Sequence, residues 1–213
     1  MNQATLTIKR CVTLLCLLVM MTLTGCQSAQ VTTSLTDKYS GNDMASQMNF
    51  WHSLNDKKLI SNDEAFHGMM LFYCQVDHAN GYDDRVNRFK ADGFLPDNFA
   101  GAANEAVTRG RLASILAQML KVKGGVMMRL VGPTPRYALK ELIALNIFPK
   151  SSAQQVLKGA QFIEIVGRAE DYLLNAERNA SANQLDAAAN TTKATQPATP
   201  ESKQHQTVEP QVQ

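Results

Sequence analysis

Arg109, Arg111, Arg129 and Arg136 crowd one segment of the chain, Val107 to Pro149, with Thr108 and Tyr137 among them. A guanidinium is a planar fork of donors, so it grips carboxylates, pyruvyl groups or phosphates at two points. A tyrosine ring can lie against the face of a sugar. Thr108 precedes a run with helical periodicity and is placed to cap it. The first N–H groups of such a helix offer two or three further donors to an anion. These six residues form the candidate ligand-binding set. The competing reading pairs the arginines with Glu105, Glu141 or solvent and gives them the task of holding the fold. His67, Cys74 and His78 fall near one face of another helix, at a spacing with soft-metal chemistry, but no fourth ligand accompanies them. The favoured reading there is a buried structural cysteine with two ordinary histidines, so no metal and no cofactor is implied. The chain has no nucleophile elbow, phosphate loop or metal-ligand spacing, and catalysis is not expected.

The elements that must position these residues are helices. Leu112, Ile115, Leu116, Met119 and Leu120 recur at helical spacing, Lys121 and Lys123 suit a helix C-terminus, and Gly124-Gly125 is the expected stop. A long apolar loop follows. Its Met127 to Val131 portion either covers the core or presents a flexible surface to a partner. Thr134 is the expected cap of the next helix, with Pro135 at its first position and Tyr137, Leu139, Leu142, Ile143 and Leu145 on its buried side. Upstream, helices are expected around Met48 to Leu54, from Ser61 or Asn62 to Val76, and from Tyr82 to Asp92. Downstream, the most apolar helix is expected to start at Ser151 or Ser152 and to run through Leu173. The fold class is therefore all-α, about six helices over residues 46–178. From Asn179 to Gln213 the chain is rich in Ala, Asn, Thr, Gln and Pro without an aromatic residue, which predicts a disordered tail.

The N-terminus reads as a targeting segment. Lys9 and Arg10 precede the apolar run Val12 to Leu23, which is short for a membrane span and ends in Leu23-Thr24-Gly25-Cys26. That ending resembles the bacterial lipobox. The resemblance implies that residues 1–25 are a lipoprotein signal peptide, that Cys26 becomes the lipidated first residue, and that the lipid anchors the protein in a membrane. Gln27 stands where an aspartate would favour inner-membrane retention, so the implied location is the outer membrane, facing the periplasm. Residues 26–45 are rich in Ser, Thr, Gln and Asn and read as a flexible tether. The chain carries a formal net charge of +2, and both excess charges, Lys9 and Arg10, lie in the signal segment. A mature chain would be formally neutral, which gives no support to nucleic-acid binding. Of four cysteines, only Cys74 would remain unmodified, so no intramolecular disulfide can brace the core.

Lys58-Leu59-Ile60-Ser61, Gly93-Phe94-Leu95-Pro96 and Asn146-Ile147-Phe148-Pro149 share one form: a polar or glycine residue, two apolar residues and a breaker. Each follows a short helix and precedes a longer one with a glycine in its first half, namely Gly68, Gly110 and Gly159. Glycine inside a helix costs about 1 kcal/mol against alanine, so its recurrence suggests close helix approach. The pattern is that of a repeated helix pair, and it resembles the S-layer homology domain. Val107-Thr108-Arg109-Gly110-Arg111-Leu112-Ala113 is similar to that family's Thr-Arg-Ala-Glu signature, and Leu145-Asn146-Ile147-Phe148 to its apolar close. Gly110 replaces the alanine and Arg111 the glutamate. In the other two units Glu64-Ala65-Phe66-His67 and Gln154-Gln155-Val156-Leu157 stand at the signature. The resemblance implies three units about a pseudo-threefold axis, with a cell-wall polymer held in grooves between them. The expected function is a non-catalytic envelope-binding or tethering module for peptidoglycan or an associated glycan. The alternative is a scaffold lipoprotein that docks another envelope protein through Met127 to Val131.

Overall fold

Ser61 starts its helix with a reciprocal capping box. Its hydroxyl accepts from the Glu64 amide at 3.1 Å, and the Glu64 carboxylate accepts from the Ser61 amide at 2.9 Å. Asp43 and Thr108 cap two other helices by accepting from the amides of Ser46 and Arg111. In the computed structural model the backbone is described for residues 28–194 except 126, 127, 129, 131 and 133, and side chains as far as residue 184. Residues 1–27, which include the stretch read as a signal peptide and Cys26, lie outside the described residues, as do Arg129 and residues 195–213.

Six helices are present among the described residues, and the fold is all-α. They are α1 (Met44–Asn55), α2 (Asn62–Cys74), α3 (Tyr82–Ala91), α4 (Arg109–Met119), α5 (Pro135–Ala144) and α6 (Gly159–Ala194). Helix α2 packs on α3, and α4 on α5. Phe50, Phe66, Phe89, Phe148 and Phe162, together with Leu112, Ile115 and Leu142, are fully buried. The chain divides into two compact units, residues 1–169 and 170–213. In the first, the buried face of α6 runs through Phe162, Ile165, Val166 and Ala169. In the second, α6 continues from residue 170 with Leu173 and Leu174 exposed.

The segments preceding α2, α4 and α6 are joined backbone to backbone in a closed ring. The Ile60 amide donates to the Leu157 carbonyl at 3.2 Å, Leu157 to Val107 at 3.2 Å, and Val107 to Ile60 at 3.0 Å. Isolated bridges Ser61–Ala106 and Thr108–Val156 extend it. Ile60, Val107 and Leu157 are buried, so the ring satisfies polar groups that would otherwise cost about 1–3 kcal/mol each. The two apolar closes that follow α3 and α5 also match. Phe94 and Leu95 both donate to the Phe89 carbonyl, and Ile147 and Phe148 both donate to Leu142.

Several boundaries differ from the sequence reading. Helix α4 stops at Met119, ahead of Gly124-Gly125, because Lys121 itself takes the left-handed conformation at φ 51°. The last helix starts at Gly159, later than Ser151 or Ser152, because residues 153–157 form a turn and a bridge whose backbone bonds to the first turn of α4 and to the ring. It also runs on past Asn179 to Ala194, so the chain is helical where the disordered tail was expected to begin; the rest of that expectation lies outside the described residues. The stretch read as a tether lies on the domain from Ala29 onward. Val31 donates to Asn104, Ala106 donates to Ala29, and the Leu35 amide reaches Glu64. The three glycines are not equivalent, since they lie eight, three and two residues after their ring members. Each nevertheless marks a close approach. A Cβ at Gly68 would meet Phe162 at 2.8 Å, one at Gly110 would meet Pro135 and Ala153, and one at Gly159 would lie 1.6 Å from the Leu54 carbonyl oxygen.

Candidate functional site

Thr108 ends a segment of ring backbone and opens α4, so the first turn of α4 and the loop before it form one wall of a groove of about 930 Å³. Arg111, Ser114 and Gln118 project from successive turns of α4 into it. The opposite wall comes from the apolar close after α3, chiefly Phe94 and Leu95, and from Phe99 and Glu105. Thr134 and Pro135, at the start of α5, and Gln154 complete the outline.

Arg111 carries the strongest chemistry there. Its Nη1 donates to Asn62 Oδ1 at 2.8 Å and lies 3.4 Å from Glu105 Oε2, and its guanidinium sits over the Phe99 ring at 5.1 Å. The stacking and the ion pair fix the plane of the fork, while its other donors remain on a half-exposed side chain. Glu105 partly neutralises it, so the pair presents donors and acceptors together instead of a bare positive charge. The Thr134 hydroxyl makes no capping bond and is left to the groove. Hydroxyls, amides, one neutralised ion pair and aromatic rings suit a neutral, hydroxyl- and amide-rich ligand better than a strongly charged one.

The six sequence-selected residues divide. Thr108 and Arg111 line the groove. Arg109 is 3% exposed and does not, its Nε having no hydrogen-bond partner among the described residues. Burial pulls its guanidinium below the ordinary value, against an opposing pull from Glu164. Arg136 is exposed and Tyr137 half-buried, and neither lines the groove. Arg129 lies outside the described residues. The expected anion site at the α4 N-terminus is also overturned. The Arg109 amide donates to Gln155 at 2.8 Å, Gly110 to Ala153 at 2.9 Å and Arg111 to Thr108 Oγ1 at 3.3 Å, so those donors are already spent. Sequence reasoning missed Phe94, Phe99, Gln118 and Gln154 as groove residues, and named Glu105 only as an arginine partner, a pairing that Arg111 makes. The available signal was an aromatic residue, Phe99, set in an otherwise polar Asp97 to Gly101 loop.

His67, Cys74 and His78 do not gather. His67 is fully buried against Phe50, with ring centroids 4.6 Å apart, and its Nδ1 is hydrogen-bonded to Asp77 at 2.6 Å. Cys74 and His78 are exposed, and burial followed by the nearby Asp92 pushes the Cys74 thiol up. Among the described residues no group of three His, Cys, Asp or Glu side chains is placed to hold a metal ion. His67 belongs to a buried polar cluster. Arg85 bridges Asp63 and Asp77, Thr36 and Ser34 donate to Asp63, and the Asn42 side chain pairs with the Asp77 backbone. Burial raises the Asp77 pKa, but hydrogen bonds from His67, Arg85 and the Ala79 amide outweigh it and leave the carboxyl below its ordinary value.

No family model, no curated protein and no solved structure matches the chain.

Proposed function

We propose that this protein is an outer-membrane lipoprotein, anchored through Cys26, that acts as a non-catalytic binding module for cell-wall glycan. The observation that carries the reading is the groove beside α4, where Arg111, Glu105, Thr134 and Gln118 offer alternating donors and acceptors next to the Phe99 ring. The anchor rests on Leu23-Thr24-Gly25-Cys26 behind its basic and apolar run. No described helix is long and apolar enough to cross a membrane. The closed hydrogen-bond ring through Ile60, Val107 and Leu157, and the matching closes after α3 and α5, support a repeated helix pair arranged about a threefold axis, as in the S-layer homology family. Of the arginines in the candidate set, Arg111 lines the groove and Arg109 does not, so the ligand role falls to Arg111.

The test is co-sedimentation of the soluble mature chain with purified peptidoglycan sacculi. Arg111→Ala is expected to weaken binding roughly tenfold, about 1.4 kcal/mol, with the helical spectrum intact. Unchanged affinity in the folded variant removes the groove from the binding surface. In cells, Cys26→Ser should release the protein from the membrane fraction. The second reading, a scaffold that docks another envelope protein, draws on Leu130, which is 76% exposed while its neighbour Met128 is buried. Sacculus binding that is absent from the wild type and a partner lost on Leu130→Ser would favour it.

A further inference from the structure

The groove does not end at Phe94 and Gln118. Both residues also line a smaller recess of about 300 Å³, completed by Tyr73, Asp92 and Lys121. Tyr73 is 44% exposed and stands edge-on to Phe94, with ring centroids 5.1 Å apart, so the aromatic wall runs unbroken from one space to the next. Asp92 and Lys121 face the recess and no ion pair joins them. Each has a defined backbone setting. Asp92 is the C-cap of α3, and Lys121 is held in the left-handed conformation with its amide donating to Gln118 at 3.0 Å. A non-glycine residue kept in that conformation is a strained one that surrounding structure must maintain. A carboxylate and an ammonium that line one small space without pairing with each other complement a ligand that carries both an ammonium and a carboxylate. A neutral sugar carries neither charge; a short peptide, through its terminus and its ionisable side chains, supplies both.

We infer that the recess is a second subsite, and that the polymer held by the groove is a glycan strand bearing peptide branches instead of a plain polysaccharide. This rests on the glycan reading of the groove: the strand lies along the Arg111 and Phe99 portion, and a peptide branch reaches past Phe94 to Asp92 and Lys121.

The test uses soluble sacculus fragments in two forms, glycan chains with their peptide stems and the same chains stripped of them by an amidase. Binding to the full mature chain is measured by calorimetry. The wild type is expected to bind the peptide-bearing form at least tenfold more tightly. Asp92→Asn and Lys121→Asn should abolish that preference and leave the stripped form unaffected; asparagine is chosen at 121 because it tolerates the left-handed backbone. Both positions are exposed, so the fold is retained and is checked by circular dichroism. Equal binding of the two forms, or a preference that survives both substitutions, overturns the second subsite while leaving the glycan reading standing. Binding of neither form by the folded wild type overturns both.

Discussion

Arg109 and Arg111 stand two positions apart on α4 and do opposite things. Arg109 is packed against the interior with Nε unpartnered, whereas Arg111 is stacked on Phe99 at the groove. Substituting Arg109 with Met is therefore expected to leave sacculus binding unchanged and to alter only thermal stability, and a loss of affinity at an unchanged melting temperature would contradict that division. Asp77 supplies a second residue-level expectation. Its folded pKa lies below the unfolded value near 3.9. Its contribution is then complete above the unfolded value and disappears as pH falls through the folded one. Acid should erode the stability of the wild type below about pH 4. Asp77→Asn should start less stable at pH 7 and lose less between pH 7 and pH 3, which melting curves at the two pH values will read. Removing the bridging cation is more severe. Arg85→Leu leaves Asp63 and Asp77 buried without their partner, at a cost of about 3–5 kcal/mol.

At the scale of elements, helix α6 contains its own control. Gly159 sits at its first position, where a Cβ would lie 1.6 Å from the Leu54 carbonyl oxygen, while a Cβ at Gly167 meets nothing within 4 Å. Gly159→Ala forces the α1 end away from α6 and is expected to cost about 3 kcal/mol, the upper part of the overpacking range. Gly167→Ala relieves a flexible residue inside a helix and is expected to gain roughly 0.5–1 kcal/mol. Opposite shifts in denaturant midpoint would support the close approach, and equal shifts would contradict it. The backbone ring explains why Gly110 also lacks a side chain. Residues 153–155 lie on the first turn of α4 and take its amide protons, so that turn has neither the space nor the free donors for an anion.

Across the whole molecule, the N-terminal stretch is part of the fold. Ser34, Thr36 and Asn42 hydrogen-bond to Asp63 and Asp77, and Lys57 reaches both Glu64 and the Thr33 carbonyl. A chain beginning at Asp43 is expected to melt well below one beginning at Ser28, since each buried acceptor deprived of its donor costs about 1–3 kcal/mol. Equal melting temperatures would return the stretch to the role of a tether. The low apolar content that made residues 26–45 read as a tether is real, but their attachment runs through backbone amides, hydroxyls and one asparagine. Polar residues in a solvated linker have the same composition. The sequence by itself determined the all-α class, a short helix around Met48 to Leu54, the cap at Thr108, the proline-started helix at Thr134 and the apolar closes after α3 and α5. All of these follow from spacing and capping chemistry within a few residues. Tertiary structure alone decided which of two neighbouring arginines is buried, which amide protons at α4 are already taken, and that Phe94, Phe99 and Glu105 share one groove with Arg111. Those outcomes depend on contacts between segments far apart in the chain, such as Arg109 with Gln155 and Arg111 with Asn62, which local periodicity does not encode.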